Sequence, residues 1–190
     1  MKKVVKFGGS SLASAEQFKK VGAIIRSDAG RRFVVPSAPG KRFDKDTKVT
    51  DMLYACYALA AEGKDFGREL RQIEQRYQEI IDGLELKLSL EKEFSLIREN
   101  FAGKAGKDYA ASRGEYLNGI VMANYLGYEF VDAAEVIVFC EDGSFAQRYE
   151  KCRDSGFLRR SAGWSCHHLF QRRFRYHRFS GCCCHPCRYL

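Results

Sequence analysis

Residues 4–13, Val-Val-Lys-Phe-Gly-Gly-Ser-Ser-Leu-Ala, constrain the fold of this 190-residue chain more than any other segment. A β-branched apolar run ends in Lys6, passes through Gly8 and Gly9, and continues through Ser10 and Ser11 into a helical pattern. That order is a strand, a tight loop and a helix start. Glycine lets the backbone approach a ligand with no Cβ in the way. Backbone N–H groups at a helix start attract anions, and a lysine at the end of the strand adds a point charge suited to phosphate. A tight turn with no ligand uses the same residue types, so the segment alone leaves both readings open.

The chain is long enough for one ordinary domain with a substantial core. Residues 2–7 read as a buried strand. Residues 14–27 follow with helical spacing, Phe18, Val21, Ile24 and Ile25 sharing a face, and Ser14 with Gln17 forms a candidate capping box. Phe33-Val34-Val35 is a second strand, ended by Pro36-Ser37-Ala38-Pro39-Gly40. Strand, helix and strand in this order argue for a parallel sheet and an α/β class. Residues 50–62, 66–81, 90–101 and 108–126 read as further helices, the charge runs of the middle two being solvated faces. Leu53, Tyr54 and Tyr57 fall on one side of the first of these. Phe130-Val131 and Val136-Ile137-Val138-Phe139 read as short strands.

No run of eighteen apolar residues occurs, so no membrane span is expected. The first residues lack the apolar stretch of a signal peptide, which makes a cytoplasmic location the default. The net charge of +8 is unevenly placed. Residues 151–190 hold Lys151 and eight arginines against Asp154 alone, which leaves residues 1–150 balanced at 23 basic and 23 acidic. All four histidines, Trp164 and six of the eight cysteines also lie in 151–190. Two compositions are joined, and the overall charge says nothing of nucleic-acid binding by the first 150 residues.

Three further segments join the first loop as candidates for chemistry. Val35-Pro36-Ser37-Ala38-Pro39-Gly40-Lys41-Arg42 is a small-residue turn after the second strand, and ligands of open α/β sheets sit at the carboxyl ends of strands. In Lys48-Val49-Thr50-Asp51, Thr50 or Asp51 either caps the following helix or serves a site. In Ser112-Arg113-Gly114-Glu115-Tyr116-Leu117-Asn118-Gly119, Arg113 and Glu115 read by themselves as helix-surface charges.

Taken together and in this order, Lys-Phe-Gly-Gly-Ser-Ser-Leu-Ala, Ser-Ala-Pro-Gly-Lys-Arg, Lys-Val-Thr-Asp and Ser-Arg-Gly-Glu-Tyr-Leu-Asn-Gly resemble the aspartate kinase family over residues 3 to about 145. Amino-acid kinases for acetylglutamate, glutamate, carbamate or uridylate share the Gly-Gly loop without the other segments. The resemblance implies an α/β three-layer sandwich around a mainly parallel sheet, here incomplete. It implies transfer of the ATP γ-phosphate, with Mg2+, to the β-carboxylate of L-aspartate, the step that opens the route to lysine, threonine and methionine. By the family's motif, Lys6 is catalytic and neutralises the transferring phosphoryl group. Phe7, Gly8, Gly9 and Ser10 form the phosphate- and ATP-binding loop, its N–H groups cradling the phosphate. Ser37, Thr50 and Glu115 hold the substrate, Glu115 facing its α-amino group. L-aspartate and ATP are the implied partners, with no nucleic acid, no membrane and no bound structural metal, and full-length members are expected to form homo-oligomers. Pro36 stands where the family more often has valine.

The resemblance stops after Phe145, which divides the chain into 1–145, the N-terminal part of a kinase catalytic domain, and 146–190. The family next offers a Pro-Gly-Phe turn and an Arg-Gly-Gly-Ser-Asp loop, whereas this chain runs to Cys182-Cys183-Cys184-His185-Pro186-Cys187. His167-His168 and the terminal cysteines are zinc-type ligands, but their spacing matches no familiar site. Translation out of frame accounts for the tail better. Read one nucleotide later, Trp164-Ser165 forces glycine, each Cys-Cys step permits only alanine or valine, and His167-His168 permits only isoleucine or threonine. The permitted letters accommodate Pro-Gly-Phe, Arg-Gly-Gly-Ser-Asp and an alanine-rich helix in family order. On this reading the chain descends from an aspartate kinase but is inactive as written. The alternative is a non-catalytic fragment, or a small protein that binds metal or nucleic acid through its Cys/His tail.

Overall fold

The computed structural model of the protein describes residues 1–139, 145–147 and 166–168. Strand β1 (Lys3–Phe7) pairs in parallel with β2 (Arg31–Pro36), with Val5 opposite Val34, Lys6 opposite Val35 and Phe7 opposite Pro36. A 3-10 turn (Gly9–Leu12) and helix α1 (Ala15–Arg26) make the crossover between them. Because the pair is parallel, both strands deliver their following loops to the same edge of the sheet.

Four helices follow: α2 (Val49–Ala61), α3 (Gly67–Gly83), α4 (Glu91–Ala102) and α5 (Lys107–Leu126). Then come β3 (Glu129–Val131), the single turn α6 (Ala133–Val136), β4 (Ile137–Phe139), β5 (Phe145–Gln147) and β6 (Cys166–His168). β3 and β6 run parallel, and β4 and β5 antiparallel. Helix α2 packs against α3, α4 and α5, and α5 in turn rests on β2 and β3. The sheet supplies Val34 to the shared core, α1 supplies Phe18, Val21 and Ile25, α3 supplies Leu70, Ile73, Tyr77 and Ile80, and α5 supplies Leu117 and Val121. Among the described residues no helix is long and apolar enough to cross a membrane.

The expected elements are present, with several corrections of burial and capping. β1 is not buried: only Val5 and Phe7 pack toward the core, while Val4 is 69% exposed. The strand alternates, so one set of side chains faces the helices and the other does not. On α1, Phe18, Val21 and Ile25 are buried, but Ile24 lies at the margin of the stripe and is exposed. The Ser14 side chain accepts from the Gln17 N–H at 3.5 Å, one half of the expected box. Neither Thr50 nor Asp51 caps α2; the cap position is Lys48, with no side-chain bond, and both residues lie in the first turn. The charged faces of α3 and α4 are mostly solvated, with one exception, Arg76, which is 4% exposed. Of the expected segment 146–190 only 146–147 and 166–168 are described, and the terminal cysteine cluster lies outside the described residues.

Candidate active site

The carboxyl ends of β1 and β2 are stitched together by backbone bonds. Ser37 N–H donates to the Phe7 carbonyl at 3.0 Å, and Gly40 N–H donates to the Gly9 carbonyl at 2.8 Å. The two loops approach so closely that a Cβ on Gly9 would stand 2.7 Å from the Ala38 carbonyl oxygen, and one on Gly40 would stand 2.6 Å from the Gly9 carbonyl carbon. Here glycine is required by contact with the neighbouring backbone. Ser11 N–H closes the first turn on the Gly8 carbonyl at 3.1 Å. Gly8 brings no side-chain cap to that turn, and both Gly8 and Ser10 are exposed. Lys6, on the exposed face of β1, stands at the same edge.

Helix α5 closes the second wall. Glu115 is 5% exposed and accepts from the Ala38 N–H at 3.4 Å through Oε1. Asn118, fully buried one turn later, donates from Nδ2 to the Ser37 carbonyl at 2.6 Å. Residues three apart share a helix face, so α5 holds two successive backbone groups of the Ser37 turn. Gly114 permits this approach, since a Cβ there would meet the Ala38 Cβ at 2.7 Å. The Tyr77 hydroxyl donates to the Gly114 carbonyl at 2.7 Å. Burial, reinforced by the charge of Glu115, pushes the Tyr77 phenol well above its ordinary pKa and keeps it a donor. Glu115 is thus not the surface charge that its helix position alone suggests. Arg113 is half-buried, its guanidinium 4.6 Å from the Tyr109 ring and 4.4 Å from the Tyr116 ring.

The third wall begins at Thr50. Val49 N–H donates to the Pro39 carbonyl at 3.2 Å, which ties the start of α2, and Thr50 with it, to the Ser37 turn. Lys6, Phe7, Gly8, Gly9, Ser10, Ser37, Thr50 and Glu115 therefore converge on one edge through loops bonded to one another. An exposed lysine, a short helix start and a glycine-lined loop suit a phosphate; a buried carboxylate suits an ammonium group. No group of three or more histidine, cysteine or acidic side chains able to hold a metal occurs among the described residues.

Sequence reasoning missed Asn118 and a network behind the loop. Arg76 on α3 donates to the Thr47 carbonyl at 2.6 Å and to the Gly40 carbonyl, and pairs with Asp46 at 3.1 Å. Arg42 holds the same Asp46 at 2.9 Å and reaches Glu79 at 2.9 Å. The hydrogen bond from Arg42, supported by the Arg76 charge, keeps the Asp46 carboxyl well below the usual carboxylate range. A signal for Arg76 existed: it falls three residues after Ile73 and four before Ile80, on the apolar stripe.

A family model described as the Amino acid kinase family matches residues 1–155. Aspartokinase 3 of Bacillus subtilis (strain 168) is 38% identical over 140 residues, which is 70% of this chain and 31% of that protein. The crystal structure of Clostridium acetobutylicum aspartate kinase is similar at a TM-score of 0.75 and 50% identity, over 81% of this chain and 36% of that one. E. coli aspartokinase III, crystallised with aspartate and ADP in its R-state, is similar in fold at a TM-score of 0.62 and 21% identity, over 88% of this chain and 40% of that one. The chain spans about a third of the length of the relatives it matches. The family match covers well over half of the chain and takes in every residue of the candidate site from Lys6 to Glu115, so the chain belongs to the amino acid kinase family.

Proposed function

We propose that residues 1–145 are the acceptor-side part of an aspartate kinase catalytic domain, which transfers the γ-phosphate of ATP to the β-carboxylate of L-aspartate. The observation that carries this reading is the bonded convergence of the Gly8–Ser10 loop, the Ser37 turn and Glu115 at one sheet edge. Similarity to aspartate kinases from Clostridium and Bacillus supports the choice of acceptor.

The chemistry suits these residue types. A carboxylate is already a nucleophile, so no strong base is required, and phosphoryl transfer rests on positioning and charge neutralisation. Lys6 neutralises charge on the transferring group, and the N–H groups of Gly8, Gly9 and Ser10 receive its oxygens. Thr50 and Glu115 hold the aspartate, Glu115 facing the α-ammonium. Magnesium would supply further charge neutralisation at the phosphates, whose oxygens the loop's N–H donors and Lys6 fit.

Residues 146–190 are the out-of-frame continuation of the same gene in this proposal. As written they contain no Arg-Gly-Gly-Ser-Asp loop, so the α-carboxylate of aspartate loses its arginine clamp and the chain does not turn over. Sequencing the gene across the codons for residues 143–152 tests the tail: one inserted or deleted base supports the proposal, and an unaltered frame overturns it. A coupled ADP assay of the frame-restored product tests the reaction. ADP release should depend on L-aspartate and fall at least ~10²-fold on Lys6→Ala. Release that ignores aspartate or survives Lys6→Ala overturns the assignment. Aspartate-dependent turnover by the chain as written, or ordered zinc in its tail, overturns the inactivity of the present sequence.

A further inference from the structure

Arg76 sits mid-helix on α3 and is not among the residues assigned to the site, yet it is among the few buried charged groups of the described residues. Its two terminal nitrogens bind the carbonyls of Gly40 and Thr47 and the Asp46 carboxylate. Those carbonyls bracket the segment between the Ser37 turn and Thr50. Gly40 in turn donates to the Gly9 carbonyl at 2.8 Å, and a Cβ on Gly40 would stand 2.6 Å from the Gly9 carbonyl carbon, so the two loops have no slack. At the other end, Thr47 is followed closely by Val49, whose N–H is fixed to Pro39 at 3.2 Å. One planar guanidinium thus grips both ends of the segment that separates the Ser37 turn, to which the Gly8–Ser10 loop is bonded, from Thr50.

We infer that Arg76 is a positioning residue for phosphoryl transfer: by holding the Gly40 and Thr47 carbonyls it sets the spacing between the Gly8–Ser10 loop and the acceptor-holding Thr50. The inference rests on the aspartate kinase reading of the site and deepens it. Stability alone does not explain an arginine here. Taking two charges out of water costs several kcal/mol per ion, and well-packed apolar side chains in place of a buried ion pair are often as stable or more so. Arg76 Nε also finds no hydrogen-bond acceptor among the described residues. What an apolar residue cannot do is bind two carbonyls 7 positions apart in one plane, and what lysine cannot do is present a rigid fork. A misplacement of about 1 Å in a reacting geometry can cost about 10²-fold in rate, so alignment is where such a fork has its effect.

The test uses Arg76→Met and Arg76→Lys, with the near-isosteric Asp46→Asn as a second variant that keeps the Arg76 guanidinium in place. Amide hydrogen exchange on the chain as written is read first. In Arg76→Met the Gly40 and Val49 amides should exchange at least ~10-fold faster, while core amides of Leu53 and Leu117 keep their wild-type rates. Asp46→Asn should show the same pattern more weakly. Steady-state kinetics on the frame-restored enzyme are read second. Arg76→Met and Arg76→Lys should both lower kcat by about 10²-fold and change the KM for L-aspartate by less than about 3-fold. Unchanged Gly40 exchange, exchange that rises equally in the core, or full activity in Arg76→Lys overturns the inference and leaves the aspartate kinase reading standing. A wild-type enzyme with no aspartate-dependent turnover overturns that reading first, and the inference with it.

Discussion

Asn118 Nδ2 donates to the Ser37 carbonyl at 2.6 Å, joining the middle of α5 to a turn 81 positions earlier in the chain. The side chain is fully buried, and its Oδ1 has no hydrogen-bond partner among the described residues. The part-buried Ser37 carbonyl would lose this donor and keep part of its desolvation penalty. Asn118→Ala should therefore lower the unfolding free energy by about 1–3 kcal/mol. Urea denaturation with an unchanged slope checks this; a variant as stable as wild type would show that water replaces the amide.

Gly114 offers a sign-reversal test. An alanine there gains about 1 kcal/mol of helix propensity over glycine. Its Cβ would also stand 2.7 Å from the Ala38 Cβ, and overpacking of this kind costs about 1–3 kcal/mol. Gly114→Ala should thus be neutral to destabilising in the wild type. Introduced beside Ala38→Gly, the same change should become stabilising. A double-mutant cycle by thermal or chemical denaturation reads the difference directly.

Acid stability should depend on Asp46. Arg42 and Arg76 depress its carboxyl in the folded chain relative to an unperturbed value of 3.8. The folded state therefore binds fewer protons than the unfolded state, and the contribution is complete above that value and is lost progressively as pH falls below it. Asp46→Asn should lower stability at neutral pH and flatten the acid limb of the stability curve, while the slope of the neutral-to-basic limb stays unaltered. An acid limb that keeps its slope in the variant would assign it to other carboxylates.

Cys56 should be inert. It is fully buried in α2, and burial pushes its thiol up to about 12. At pH 8 the thiolate fraction is about 10⁻⁴, roughly 10³-fold below that of an unperturbed thiol. Mass spectrometry after brief maleimide labelling should find Cys56 unmodified in the folded chain and modified in urea. Because the folded thiol holds its proton longer than the unfolded one, stability should decline as pH rises from about 9 towards 12. Cys56→Ala should remove part of that decline.

The secondary structure was legible wherever periodicity was strong. Phe18, Val21 and Ile25 mark α1 by spacing, and the β-branched run before Lys6 marks β1. The two loops that meet at the candidate site were legible as loops too, because Gly9 and Gly40 are residue types that close backbone contact demands. The burial of Ile24, Val4 and Glu115 was not. Ile24 and Ile25 are the same residue, yet one is 49% exposed and the other 1%. Glu115 is buried while the neighbouring Arg113 is half-exposed between tyrosines.

What the sequence determined by itself is local: which segments coil, which extend, and which loops can carry an anion, since these follow from steric preference and the period of apolar residues. Its motif pattern also carried the family resemblance that the comparisons bear out. What only the tertiary structure decided is which polar groups meet. Arg76 reaches Gly40 across 36 positions and Asn118 reaches Ser37 across 81. Such pairs leave no local mark, because a buried charge or amide is tolerated only where distant backbone supplies its partners, and that supply exists only once the helices have packed.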